Sequence, residues 1–79
     1  MTIAKKQSEL TALANEALRK QPGCETARVV MLAPLPHVSG GRNWEIPNVV
    51  LGDSLISDVD RGVITVHHQL GRKFRLVDT

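Results

Sequence analysis

The chain has 79 residues, 42% of them hydrophobic and 23% charged, with a net charge of +2 at pH 7. That is the size and composition of one folded domain, and it argues against disorder. Ten Lys/Arg stand against eight Asp/Glu, so neither nucleic acid nor an anionic membrane is the default partner.

A single cysteine permits no intrachain disulfide, which suits a reducing, cytoplasmic setting. The first six residues lead into a polar helical pattern rather than an apolar signal core. No stretch approaches the ~20 apolar residues of a membrane span. The apolar content is mostly Val, Leu, Ile and Ala, with one Trp, one Phe and no Tyr, so the core is assembled from small pieces. Chains of this length sit near the lower limit of a self-sufficient core, and many gain stability by associating.

Residues 3 to about 20 read as the first helix. Ile3, Leu10, Leu13, Ala14, Ala17 and Leu18 gather on one side, and the composition is rich in good helix formers. Thr2 is placed to cap the start, and Pro22-Gly23 ends the helix. Lys6 falls inside the apolar stripe, so the first turn is expected to fray.

Thr26 to Ala33 reads as a strand. Alternation puts Ala27, Val29, Met31 and Ala33 on one face and Arg28, Val30 and Leu32 on the other. Pro34-Leu35-Pro36 is expected to end it, with a flexible loop over His37–Gly41. Asn43 to Leu51 is the second strand, antiparallel to the first. Trp44 and Ile46 share a face, and an extra residue near Pro47-Asn48 would return Val49 and Leu51 to it, so a bulge or break is expected there.

Asp53–Leu70 is the second helix, marked by a stripe of Ile56, Val59, Val63, Val66 and Leu70 and closed by Gly71. Gly62 and the β-branched run Val63–Val66 pull toward a strand, and a hairpin around Leu70-Gly71-Arg72 is the competing reading. The stripe, and acids at one end facing histidines at the other, favour the helix. Ser57 with Asp60 would form a capping-box-like start if the helix begins late. Gly62→Ala should then stabilise the protein, unless Gly62 has positive φ or its bare Cα is needed for packing. Arg72 to Val77 gives a short final strand.

The fold these elements imply is α+β: helix, strand, strand, helix, short strand, with both helices packed on a small antiparallel sheet.

The chemistry-bearing residues form no catalytic or cofactor motif. Cys24, His37, His67 and His68 lack the spacings of zinc ligands. Asp53, Asp58 and Asp60 are explained by the helix N-terminus they occupy. Gly40-Gly41 is neither a phosphate loop nor a dinucleotide fingerprint. No catalytic residue, metal or cofactor is assigned.

Two surfaces are left as candidates. Val30 and Leu32, opposite the Val29 face, form a candidate interface for a homodimer or another protein, and Trp44 reads as a core plug first and an interface anchor second. Arg72, Lys73, Phe74 and Arg75, joined in principle by Arg42 or Arg61, could grip phosphate and stack on a base with one aromatic. The competing view has Phe74 and Leu76 facing inward while Lys73 and Arg75 guard an edge against aggregation. The sequence therefore points to a small non-enzymatic protein-interaction module, self-associating or bound to another protein, with a nucleic-acid-binding domain using residues 72–75 as the alternative.

Overall fold

The computed structural model describes residues 2–39 and 42–77, with the backbone alone for 36–39. The order is β1 (Ile3–Lys6), α1 (Gln7–Arg19), β2 (Arg28–Val29), β3 (Ala33–Ser39), β4 (Arg42–Glu45), β5 (Val49–Val50), α2 (Ile56–Gly71) and β6 (Phe74–Val77). The class is α+β, as the sequence implies, but the strands are more numerous and one pairing is parallel.

That pairing involves the largest correction. Residues 3–6 leave the expected first helix and lie parallel to β6, with Ile3 opposite Phe74 and Lys6 opposite Val77. Lys6 would have sat on the buried stripe of a helix, and as a strand residue it is exposed. Thr2 consequently caps nothing. Lys6 is the N-cap of α1 and makes no side-chain cap hydrogen bond. Within α1, Leu10, Ala14 and Leu18 are fully buried at helical spacing. Gly23, at φ 80°, makes the left-handed turn that takes the chain out of the helix.

The two central strand candidates do form an antiparallel hairpin, in two pieces. Arg28 faces Val50 and Val29 faces Val49; further along, Ala33 faces Glu45 and Pro34 faces Trp44. These pairs belong to one continuous register, in which Pro47 would oppose Met31. Proline has no N–H to give the ladder, and the pairing lapses there, which is the break expected near Pro47-Asn48. Val49 and Leu51 do return to the core beside Trp44 and Ile46.

Pro34 and Pro36 do not end the strand. β3 runs through them to Ser39, with β4 on one side and no strand on the other among the described residues. An edge strand needs no N–H on its open side, so proline is tolerated and blunts the edge. The backbone of 37–39 is therefore strand rather than loop, while Gly40-Gly41 and the His37 side chain lie outside the described residues.

The helical reading of the C-terminal half holds, and the hairpin alternative does not. α2 buries Val59, Val66 and Leu70, with Val63 against the same core. Ile56 departs from the stripe: in the first turn it is 64% exposed. The helix starts too early for Ser57 and Asp60 to cap it; its N-cap is Leu55, with no side-chain cap. Gly62 is buried, with non-positive φ, and a Cβ there would stand 2.8 Å from Cys24 Sγ. The packing exception therefore governs Gly62, not the helix-propensity gain.

Both helices feed one core, centred on Trp44, Leu10, Leu18, Leu32 and Val66. No helix among the described residues is long and apolar enough to cross a membrane.

Candidate functional site

Where the hairpin ladder lapses, α1 supplies hydrogen-bond partners to the backbone of Val29 and Leu32. The Asn15 side chain receives the Val29 N–H at 2.7 Å and donates to the Val29 carbonyl at 2.8 Å. Gln7 does the same for Leu32, at 2.8 and 2.9 Å. Thr11, one turn from each, donates to Gln7 Oε1 at 2.9 Å, and its carbonyl receives Asn15 Nδ2 at 3.2 Å. Residues 7, 11 and 15 are spaced four apart, so they stack along one face of the helix.

This row determines what is exposed. In a regular strand, residues three apart present their N–H and C=O to opposite edges and their side chains to opposite faces. Val29 and Leu32 are three apart, yet both turn their amide groups to α1 and both bury their side chains. The chain is irregular between them, and Val30 and Met31 both point outward, 59% and 55% exposed. The expected faces are thus corrected in two places. Leu32 is core rather than interface, and Met31 takes its place beside Val30. Trp44 is core, the favoured of its two readings, and does not join the interface: it is fully buried, donates Nε1–H to the Phe74 carbonyl at 3.2 Å and meets the His67 ring edge-on. An open depression of about 560 Å³ runs beside Val30 and Met31, flanked by Ser8 and Ala12 of α1.

The basic segment is divided by β6. Phe74 is half-buried and Leu76 buried, while Arg75 is exposed from the alternate position. Arg72 and Lys73, both exposed, lie before the strand. The inward placement of Phe74 and Leu76 thus agrees with the edge-strand view. Lys5, rather than a neighbouring arginine, holds its ammonium 5.8 Å from the Phe74 ring centroid. Arg61 does not join the group, since it is paired with Asp58 at the other end of α2. Arg42 packs its aliphatic stem against Gly71, leaving Nε buried and without a hydrogen-bond partner.

β4 and β6 are joined by side chains rather than by a backbone ladder. Asn43 receives the Leu76 N–H and donates to the Leu76 carbonyl, both at 2.8 Å. With Trp44 on the Phe74 carbonyl, this occupies the edge of β6 that β4 faces.

Two groups that could move protons or attack, Cys24 and His67, are engaged by neighbours. Burial pushes the Cys24 thiol up, with the Asp58 and Glu25 charges adding to the effect, and Sγ lies 3.4 Å from the Asp58 carbonyl. A thiol so held is mostly protonated near neutral pH and a poor nucleophile. His67 is drawn down to about 4 by burial, then by Arg42 and His68. Its Nε2 receives the Ile46 N–H at 3.0 Å, so the ring is neutral with its proton on Nδ1. His68, next in sequence, is exposed. Among the described residues no three His, Cys, Asp or Glu are gathered as a metal site.

A second depression, of about 410 Å³, opens between the C-terminal halves of α1 and α2, over Phe74. The sequence reading singled out only its Lys73 and Phe74 wall, because the remaining walls come from elements far apart in the chain.

No protein-family model matches the sequence, and neither a curated protein nor a solved structure shows significant similarity to it.

Proposed function

We propose that the chain is a small, non-enzymatic protein-interaction module that associates with a second copy of itself through the surface around Val30 and Met31. One observation carries the reading: two adjacent apolar side chains point outward from backbone that flanking amide bridges hold in place. Retracting these residues by a local rearrangement would break those bonds, which favours burial against a partner as the way they would leave water. Ser8 and Ala12 beside them are small enough to let another backbone approach closely. A two-fold dimer would use this one patch twice. The non-enzymatic part of the reading is supported by the commitments of Cys24, His67 and Asp58 to neighbouring groups. A reducing, cytoplasmic location accords with a lone buried thiol.

Sedimentation velocity from low micromolar to millimolar protein tests the proposal. A concentration-dependent rise from monomer to dimer is expected, abolished in Val30→Asp/Met31→Asp, which remains folded because both positions face solvent. A single monomeric species at every concentration would refute it.

A further inference from the structure

We infer that the depression between the C-terminal halves of α1 and α2 is a binding site for an acidic peptide segment carrying one apolar anchor. Leu13 and Ala17 of α1, Leu70 of α2 and Phe74 of β6 supply the apolar part of its lining. All four pack against or within the core, so the apolar surface is pre-formed. The volume, about 410 Å³, lies within the ~300–1,000 Å³ span usual for ligand sites. Lys20 and Lys73 stand in the same lining, beside the Gln69 amide.

The depression does not end at Lys73. Gln69, Leu70 and Lys73 also line an adjoining hollow that reaches Arg72. The surface is therefore elongated: an apolar section between the helices, then a section with two neighbouring cations. Lys20 is partly neutralised by Glu16, 3.5 Å away. Arg72 and Lys73 make no ion pair among the described residues, and both are exposed. Charge complementarity thus calls for an occupant whose apolar side chain enters the first section while carboxylates lie over the second. An extended segment of a partner protein satisfies both along one chain.

A nucleic acid fits less well. A nucleic acid has no aliphatic anchor to fill the section lined by Leu13, Ala17 and Leu70. The one aromatic available for stacking, Phe74, is half-buried, and Arg75 projects from the alternate position of β6. The surface is distinct from the Val30–Met31 patch, and the inference does not depend on self-association.

The test uses the whole chain and a capped, fluorescein-labelled peptide of glutamates around a single leucine. Controls replace the leucine with alanine, or the glutamates with lysines. Anisotropy and amide chemical shifts are read, the shifts with the unlabelled peptide. The acidic leucine peptide should perturb amides at Leu13, Ala17, Gln69, Leu70 and Lys73, with affinity falling as salt rises. Either control peptide should bind about tenfold more weakly or worse, as should Arg72→Glu/Lys73→Glu. Both substituted residues are exposed, and an unchanged amide spectrum away from 69–74 verifies that this variant folds. The inference is overturned if the acidic peptide perturbs no amide in the cleft, or if binding survives Arg72→Glu/Lys73→Glu. It is equally overturned if an oligothymidylate binds these amides more tightly than the peptide. Sedimentation of Arg72→Glu/Lys73→Glu should match the wild type, which keeps this result separate from that for the Val30–Met31 surface.

Discussion

Gly62→Ala sets helix propensity against packing, and the structure decides the sign. In mid-helix, alanine is favoured over glycine by about 1 kcal/mol. A methyl group at 62 would lie 2.8 Å from Cys24 Sγ, 3.0 Å from Leu18 Cδ1 and 3.3 Å from Gln21 Cβ. Neither of the two closest neighbours has an easy retreat. Cys24 and Leu18 are fully buried, and Cys24 Sγ contacts the carbonyls of Asp58 and Pro22. Overpacking of this kind costs about 1–3 kcal/mol, so the net effect is a loss of roughly 1 kcal/mol, at most about 2. Urea denaturation should show a lower midpoint with an unchanged slope. In a Cys24→Ala background the sulfur is gone, and Gly62→Ala should become neutral or stabilising. A double-mutant cycle should therefore give a coupling of about 1 kcal/mol or more, in the range found for residues in contact. A Gly62→Ala protein more stable than wild type, or strict additivity with Cys24→Ala, would show that α2 does not press on Cys24 as described.

Two further outcomes follow from groups that join elements. Asn43→Ala removes both bonds to Leu76 and leaves a buried residue's N–H and C=O without partners; at ~1–3 kcal/mol for each stranded group, a loss of about 2–6 kcal/mol is expected in denaturant midpoints, with faster hydrogen exchange in β6. His67 should make stability fall in mild acid. Burial holds its folded-state pKa down, to about 4 against the ordinary 6.5, so the unfolded chain binds the proton first; stability declines as pH falls through 6.5 toward 4, by at most about 3 kcal/mol and by less where solvent screens the partly exposed ring. His67→Gln should flatten the part of the decline between pH 7 and 5, and an imidazole that titrates near 6.5 in the folded protein's NMR spectrum would refute the account.

The helices were legible because periodicity is a local signal. Leu10, Ala14 and Leu18, and Val59, Val66 and Leu70, are buried as their spacing requires. The lapse at Pro47 was legible for the same reason, since a missing N–H is a property of the residue itself. β1 was not. Ile3-Ala4-Lys5-Lys6 fits a frayed helical turn as well as a strand, and its partner, Phe74–Val77, lies at the other end of the chain. Nothing within the window distinguishes the two, and the decision is made by β6, which offers an edge for residues 3–6 to pair with. Pro34 and Pro36 misled for a related reason: proline ends a central strand but not an outermost one, and edge status depends on the whole sheet.

The candidate interface was half legible, and the missed half has a specific cause. Alternation assigned Val30 and Leu32 to one face because it assumed that strand edges bond only to strands. Here the edge at Val29 and Leu32 bonds to amide side chains on α1, and two amides one turn either side of Thr11 impose the helix's spacing on the strand. Eight helical residues rise about 12 Å at ~1.5 Å each, while three strand residues span about 10 Å. Gln7 and Asn15 can therefore reach residues 29 and 32, but a regular strand would offer groups on this edge only at even separations. The strand yields, carrying Leu32 into the core and leaving Val30 and Met31 in water. The sequence did hold a signal for this: Gln7, Thr11 and Asn15 form a polar row beside the buried stripe of an otherwise ordinary helix. A row of amides at that spacing is a way to terminate a sheet edge without another strand, and the residues it displaces outward are those on which the proposed self-association rests.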